Sequence, residues 1–120
     1  MHVPADARAL TLSIWEERAA RNEALFREVN ERVERLGRDW RVDGEPTRFV
    51  CECADGECTE TVVVPLDVYE DVRAHPRRFL IRPGHEHGEL ETIVAQTGDY
   101  AVVEKTGGAG RVAEQTDPRV

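Results

Sequence analysis

Three cysteines within eight residues constrain this chain more than any other feature of its sequence. Cys51, Cys53 and Cys58 lie around an Asp-Gly pair that is typical of a turn, and the chain contains no other cysteine. A turn that gathers three thiols around one point presents the soft ligands that zinc accepts. The spacing is not the paired CxxC pattern of many zinc sites, so more than one interpretation of the cluster stays open.

A fourth ligand has to come from elsewhere in the chain, and His85 is the best candidate. It follows Pro83 and Gly84, a pair that favours a tight turn, and Cys3His is an ordinary ligand set for tetrahedral zinc. His87 is the alternative fourth ligand. Glu86 could orient His85 or, at a metal with an open position, act as a base on bound water. The sequence therefore predicts a Zn²⁺ site formed by the three cysteines and His85.

Two other interpretations of the cysteine cluster are redox chemistry and simple burial. Closely spaced thiols can form a Cys53–Cys58 disulfide, or pair with Cys51, and so act as a redox switch. Inert buried cysteines are the third interpretation, but they leave the clustering unexplained. An odd number of cysteines without a secretion signal argues against a structural disulfide framework.

Length and composition predict one small globular domain. At 120 residues the chain can bury a modest core, and its net charge of −8 opposes the basic surface that nucleic-acid binding requires. No apolar run approaches the ~20 residues that cross a bilayer. The N-terminus also lacks a basic region followed by an apolar run. We therefore expect a cytoplasmic protein that binds neither nucleic acid nor membrane.

A long amphipathic helix is predicted near the N-terminus. Ser13 and Glu16 form a capping-box pattern that starts it, and Gly37 supplies a stop. Apolar residues recur along one side at alternating four- and three-residue steps, and this hydrophobic seam consists of Trp15, Ala19, Asn22, Phe26, Val29, Val33 and Leu36. The seam predicts burial against the domain's own sheet or against a second copy in a homodimer. Asn22 would set the register of a dimer or form a hydrogen bond at the edge of an intramolecular contact.

Short strands and one further helix are predicted after this helix. Residues 47–53 and 59–64 predict a hairpin that carries the cysteines, and residues 66–74 predict a short helix. Residues 79–81 predict a strand, and residues 90–95 with 100–105 predict a second hairpin, with a short helix as the alternative for residues 90–96. The predicted fold class is α+β with a mainly antiparallel sheet and a Cys-rich hairpin. Residues 1–12 and the glycine-containing residues 107–120 are predicted to be flexible, so the domain spans residues 13–106.

Four sequence segments, one of which contains the cysteine cluster, form a wider pattern. They are residues 21–30, Phe-Val-Cys-Glu-Cys at 49–53 with Cys58, Arg-Phe-Leu at 78–80 with Pro-Gly-His-Glu at 83–86, and Val-Val-Glu-Lys at 102–105. Together they resemble a small uncharacterised family of actinobacterial-type proteins, and the resemblance covers most of the chain. It implies a shared domain and a shared Cys/His site, but no reaction.

Two classes of function follow from the sequence. The first is a zinc-stabilised binding or regulatory module without catalytic activity, which meets an unknown protein partner or associates with itself through the N-terminal helix. The second is a thiol-based redox sensor or a metal-dependent enzyme that uses the Cys/His cluster. No phosphate-binding glycine motif, nucleophile elbow or HExxH motif supports a particular enzyme class. The sequence therefore favours the non-catalytic module.

Overall fold

A computed structural model of the chain describes the backbone of residues 5–40 and 44–119 and the side chains of residues 18–40 and 44–119. Over these residues the elements are α1 (Ala5–Asp39), β1 (Pro46–Val50), β2 (Thr61–Pro65), α2 (Leu66–Arg73), β3 (Arg78–Ile81), β4 (Glu91–Gln96), β5 (Ala101–Lys105) and α3 (Gly107–Gln115). The predicted α+β class is confirmed. None of these helices combines the length and the hydrophobicity needed to cross a membrane.

The strands form two antiparallel sheets. One sheet pairs β1 with β2, and Phe49 lies opposite Val62. The other has the strand order β3-β5-β4, in which Val103 of the central strand lies between Phe79 and Ile93. Both predicted hairpins are therefore present, and residues 91–96 form a strand, not the alternative helix.

The cysteines lie between the strands of the first hairpin, not on them. Regular pairing ends at Val50 and Thr61, so residues 51–60 form a connection that we call the Cys loop. The predicted strand over residues 47–53 is thus too long at its carboxyl end. The bonds of the Cys loop to other elements, described below, take the place of ladder bonds there.

The hydrophobic core lies where the two sheets meet α2. The rings of Phe49 and Tyr69 stack with their centroids 4.4 Å apart, and Leu80, Ile81 and Val103 are fully enclosed. Aromatic and branched side chains of this kind bury the apolar area that stabilises a small domain. Because β1, α2 and β3 all contribute to this core, the two sheets belong to one packed unit.

Helix α1 is longer than predicted and turns a different face to the domain. It begins at Ala5, not Ser13, and continues through Gly37 to Asp39. The side chain of Trp15 lies outside the described residues. Of the rest of the hydrophobic seam, Ala19 is buried, but Val29 and Leu36 are 37% and 58% exposed. The expectation that the seam packs on the domain is therefore wrong for its outer members.

Polar residues form the docking face of α1, beside the inner members of the seam, of which Ala19 is buried and Val33 packs against the core. This docking face comprises Glu23, Arg27, Asn30, Glu31 and Glu34, all of which are buried. Burial of charged groups is costly unless each finds a partner, and the domain supplies one for several of them. The identity of those partners, and not hydrophobic periodicity, explains which face of α1 turns inward.

Lys105 and Arg73 are two of these partners. Lys105, the one lysine of the chain, forms ion pairs with Glu23 and Glu91, and its side chain is 1% exposed. Burial raises the pKa of Glu23 to about 7. Arg73 bonds Glu31 at 2.6 Å and also pairs with Asp117. These contacts join α1 to β4, β5, α2 and the C-terminal segment.

Arg27 is the one cation of the docking face, and it is fully buried. Its guanidinium donates hydrogen bonds of 2.8 Å to the carbonyl of Pro76 and 2.7 Å to the carbonyl of Ala113. It also lies 4.5 Å above the ring centre of Phe79, within cation–π range. Arg27 therefore connects α1 to α3 and to the turn before β3.

The C-terminal segment differs from its prediction as a flexible tail, because residues 107–115 form helix α3. Glycine costs about 1 kcal/mol in a helix, so the local sequence argues against one. Gly110 and Ala113 are buried, and a Cβ atom at Gly110 would meet the Arg77 side chain at 2.6 Å. Glycine at position 110 thus allows close packing that outweighs its low helix propensity. At the other end, residues 5–12 of the predicted flexible segment belong to α1, and residues 1–4 lie outside the described residues.

We expect Arg27→Ala to lower the free energy of unfolding by about 2–4 kcal/mol, because two buried carbonyls lose a charged donor. Leu25→Ala is the matched control on the same helix: Leu25 is 57% exposed, so its loss should change stability by less than about 0.5 kcal/mol. Urea unfolding of both variants measures the difference. Equal destabilisation, together with a dimer in sedimentation, would instead show that a second chain covers the outer face of α1.

Candidate metal centre

The Cys loop supplies three thiols through a tight turn. The backbone N–H of Cys58 donates to the carbonyl of Asp55 at 3.1 Å, and the N–H of Glu57 donates to Oδ1 of Asp55 at 2.9 Å. An Asp side chain that bonds the backbone two residues on is a common turn device. The turn reverses the chain, so that Cys58 returns toward Cys53. The predicted role of the Asp-Gly pair is confirmed.

A second turn, directly after β3, brings His85 to the thiols. The N–H of His85 donates to the carbonyl of Arg82 at 3.1 Å, and Gly84 adopts a φ of 90°. Proline at the second position and a left-handed glycine at the third are typical of a type II turn. The N–H of Arg82 donates to the Sγ atom of Cys51 at 3.2 Å. This bond attaches the histidine turn directly to the Cys loop.

The four predicted ligands come together in space. One ligand atom from each of Cys51, Cys53, Cys58 and His85 lies within 4.8 Å of all the others. The Nδ1 atom of His85 is 3.5 Å from Cys51 Sγ and 3.6 Å from Cys58 Sγ. Zinc bonds of about 2.0–2.3 Å place tetrahedral ligand atoms about 3.3–3.8 Å apart. The group could therefore hold a metal ion with little movement of the side chains.

The alternative ligand, His87, is not part of this group. Its carbonyl accepts hydrogen bonds from the N–H groups of Leu90 and Glu91 at 3.0 and 3.2 Å, so its backbone belongs to the turn before β4. The geometry thus favours His85 as the fourth ligand. Oε2 of Glu86 is buried and has no hydrogen-bond partner among the described residues, so the orienting role of Glu86 stays a prediction.

The thiols differ in how readily each gives up its proton. A hydrogen bond from Cys51 lowers the pKa of Cys53 to about 5 and raises the pKa of Cys51 above its ordinary value. Burial raises the pKa of Cys58. One thiolate is thus favoured at neutral pH, while three crowded thiolates repel one another. A divalent cation removes that repulsion by replacing the remaining protons.

Glu52, which separates two of the cysteines, is a site residue that the sequence analysis missed. Its side chain is fully buried, and its carboxylate accepts hydrogen bonds from the Leu80 N–H at 2.8 Å, the Tyr69 hydroxyl at 2.7 Å and the Asn30 amide at 2.9 Å. Its own N–H donates to the Leu80 carbonyl at 2.8 Å. The alternation of side chains in an extended chain could have identified Glu52. In a Cys-Glu-Cys segment the middle side chain points to the opposite side from both thiols, and here that side is the core.

Two asparagines of α1 also hold the Cys loop. The Asn30 side chain donates to the Val50 carbonyl and accepts from the Val50 N–H, both at 2.8 Å, as a neighbouring strand would. The Asn22 amide donates to the Ala54 carbonyl at 2.8 Å. Asn22 lies so close to Gly56 that an added Cβ would be 3.0 Å from its amide. Of the two alternatives for Asn22, the intramolecular hydrogen bond is the one present.

Comparison with known proteins does not extend these findings. No protein-family model, curated protein or solved structure matches the chain. The resemblance to an actinobacterial-type family therefore stays a prediction, and the interpretation of the site rests on its geometry.

We expect Glu52→Gln to destabilise the fold by about 1–3 kcal/mol despite its nearly identical shape. The glutamine amide brings a donor to a position where Leu80, Tyr69 and Asn30 all donate, so at least one buried group loses its partner. Glu57→Gln, an exposed change in the same loop, is the control and should be neutral. Thermal unfolding of both variants tests this, and a neutral Glu52→Gln would contradict the role given to the carboxylate.

Proposed function

We propose that the chain is a small binding or regulatory module without catalytic activity, stabilised by one structural Zn²⁺ ion. The ligands are Cys51, Cys53, Cys58 and His85. The observation that carries this proposal is their convergence, within 4.8 Å, from two turns separated by β2, α2 and β3. Convergence of this kind is not needed for packing, because a core residue needs only an apolar neighbour.

The donor set favours zinc over other common metals. Calcium and magnesium prefer oxygen ligands, and iron–sulfur clusters are usually held by four thiolates. Three thiolates and one imidazole in a tetrahedral arrangement suit zinc, which needs no particular geometry from its d electrons. A cytoplasmic location, which we also propose, would keep the thiols reduced and available to the ion.

Four protein ligands favour a structural ion over a catalytic one. Catalytic zinc usually keeps one coordination position for water or substrate, and a complete Cys3His set closes that position. Cys51 and Cys53 are buried, and Cys58 and His85 are partly buried, so the ion would be largely shielded from solvent. The second candidate, a thiol redox sensor, is favoured by the mutual proximity of the three thiols.

The partner of the module is an open part of the proposal. A second copy of the chain, or another protein, would cover the exposed hydrophobic side chains of α1 and the residue after it, which are Leu25, Val29, Leu36 and Trp40. Association through this face is compatible with the fold, because the docking face of α1 is already occupied by the domain. Self-association stays a prediction that sedimentation at several concentrations can test.

Reduced, untagged protein purified without added metal should contain one zinc per chain, because the ligands are complete in a single chain. Elemental analysis measures this directly. Cys53→Ser should lose the ion, and His85→Ala should lose it or bind it far more weakly. His87→Ala is the matched control and should retain it. Absence of stoichiometric zinc would refute the proposal, and retention in His85→Ala with loss in His87→Ala would reassign the fourth ligand.

Chelation should lower the melting temperature if the ion is structural. A ligand present at 100 times its Kd stabilises the folded state by about 2.7 kcal/mol, and this contribution disappears when the ion is removed. Cys53→Ser should melt at about the temperature of the chelated protein and should not respond to chelator. Unchanged melting combined with the loss of a measurable reaction would support the catalytic alternative. Reversible disulfide formation by the metal-free protein under mild oxidant, with no zinc in the reduced form, would support the redox sensor.

A further inference from the structure

The Cys loop is attached to α1 by side-chain amides. Asn22 bonds the loop at Ala54, and Asn30 bonds both backbone groups of Val50, directly before Cys51, as well as the carboxylate of Glu52. The bonds to Ala54 and Glu52 require the loop to hold the conformation that also brings the thiols together, and the bonds to Val50 fix the residue from which the loop starts. The position of α1 and the geometry of the ligands therefore depend on each other.

The docking face of α1 is unusual for a helix that covers a domain. Over residues 18–39, Ala19 is the one hydrophobic residue that is buried, while Glu23, Arg27, Asn30, Glu31 and Glu34 account for the other buried side chains. Most hydrophobic residues of this part of α1 are partly or well exposed. Val33 is partly buried and packs against the core, so a limited apolar contact adds to the mainly polar contacts when α1 docks.

A polar docking face has an energetic consequence. When α1 separates from the domain, its charged groups and their partners recover hydration that burial had removed. Separation of an apolar face has no such compensation, because each Å² of apolar surface that becomes exposed to water costs about 25 cal/mol of free energy. Specific hydrogen bonds and ion pairs therefore hold much of α1 on the domain. A modest change at the Cys loop can then shift the equilibrium between docked and released α1.

We propose that zinc binding at the Cys/His site controls the docking of α1. With zinc bound, the Cys loop is held in the conformation that Asn22 and Asn30 recognise, and α1 lies on the domain. Loss of zinc frees the loop and releases α1, while the core around Phe49, Tyr69 and Leu80 stays packed. The inference rests on the proposed zinc site and assigns it a regulatory effect. Release would expose the docking face and free the whole helix for a partner.

Hydrogen exchange of the full chain, with zinc and after chelation, tests the structural half of this inference. Backbone amides over residues 19–37 of α1 should lose protection on chelation, because a released helix is only marginally stable in water. Amides of β3 and β5 should keep most of theirs. Unchanged protection in α1, or an equal loss of protection in α1, β3 and β5, would overturn the inference.

Zinc affinity tests the reciprocal half, since coupling between two events acts equally in both directions. Asn22→Ala and Asn30→Ala should each weaken zinc binding, measured by competition with a chromophoric chelator, by about 5- to 150-fold. Arg32→Ala, an exposed change on the same helix, is the control and should bind zinc like the wild type.

The outcomes separate this inference from the proposed function. Wild-type affinity in both asparagine variants would overturn control of docking and leave the zinc site intact. Failure of the wild-type protein to bind zinc would overturn both. Asn22→Ala serves as the second variant if Asn30→Ala does not fold, because Asn22 is only partly buried and bonds the loop at one point.

Discussion

The buried carboxylate of Glu52 is the contact on which the rest of the structure depends. It receives hydrogen bonds from α1, α2 and β3 through Asn30, Tyr69 and Leu80. Burial raises its pKa, and those three donors act in the opposite direction. Because Glu52 lies between two candidate ligand cysteines, the same contact that helps to assemble the core also sets the path of the Cys loop. The core and the candidate metal centre therefore share this one carboxylate.

Docking of α1 through charged side chains sets a second constraint. Arg27, Glu31 and Glu23 each bond groups from different parts of the chain, so α1 has one position in which all three make these contacts. A hydrophobic face would tolerate small rotations or shifts of the helix, whereas hydrogen bonds of fixed length do not. Buried polar contacts of this kind contribute less to stability than to the choice of a single arrangement. That choice places Asn22 and Asn30 against the Cys loop.

The features that could be predicted from the sequence are those with local causes. The two hairpins, α2 and the turn before His85 follow from alternation, proline and glycine positions, and the four candidate ligands follow from clustered cysteines and one turn histidine. The face of α1 was mistaken because hydrophobic periodicity gives no information about partners such as Lys105, which lies far along the chain. Helix α3 was missed because its glycines lower the local helix propensity, while Gly110 allows close packing against Arg77. Glu52 was overlooked because an acidic residue in a polar loop is usually exposed.

The location of the site explains why a metal would contribute more here than its small size suggests. The Cys loop ends the β1–β2 sheet, and the His85 turn follows β3 of the other sheet, so a shared ion would join the two sheets at their ends. Each turn already restricts its own ligands through internal bonds, which lowers the entropy lost on binding. The ion would then join two segments that are far apart along the chain. A cross-link between such segments stabilises the fold most, because the loop that it closes is long. The ion would thus reinforce a connection between the two sheets that the backbone hydrogen bond from Glu52 to Leu80 already makes.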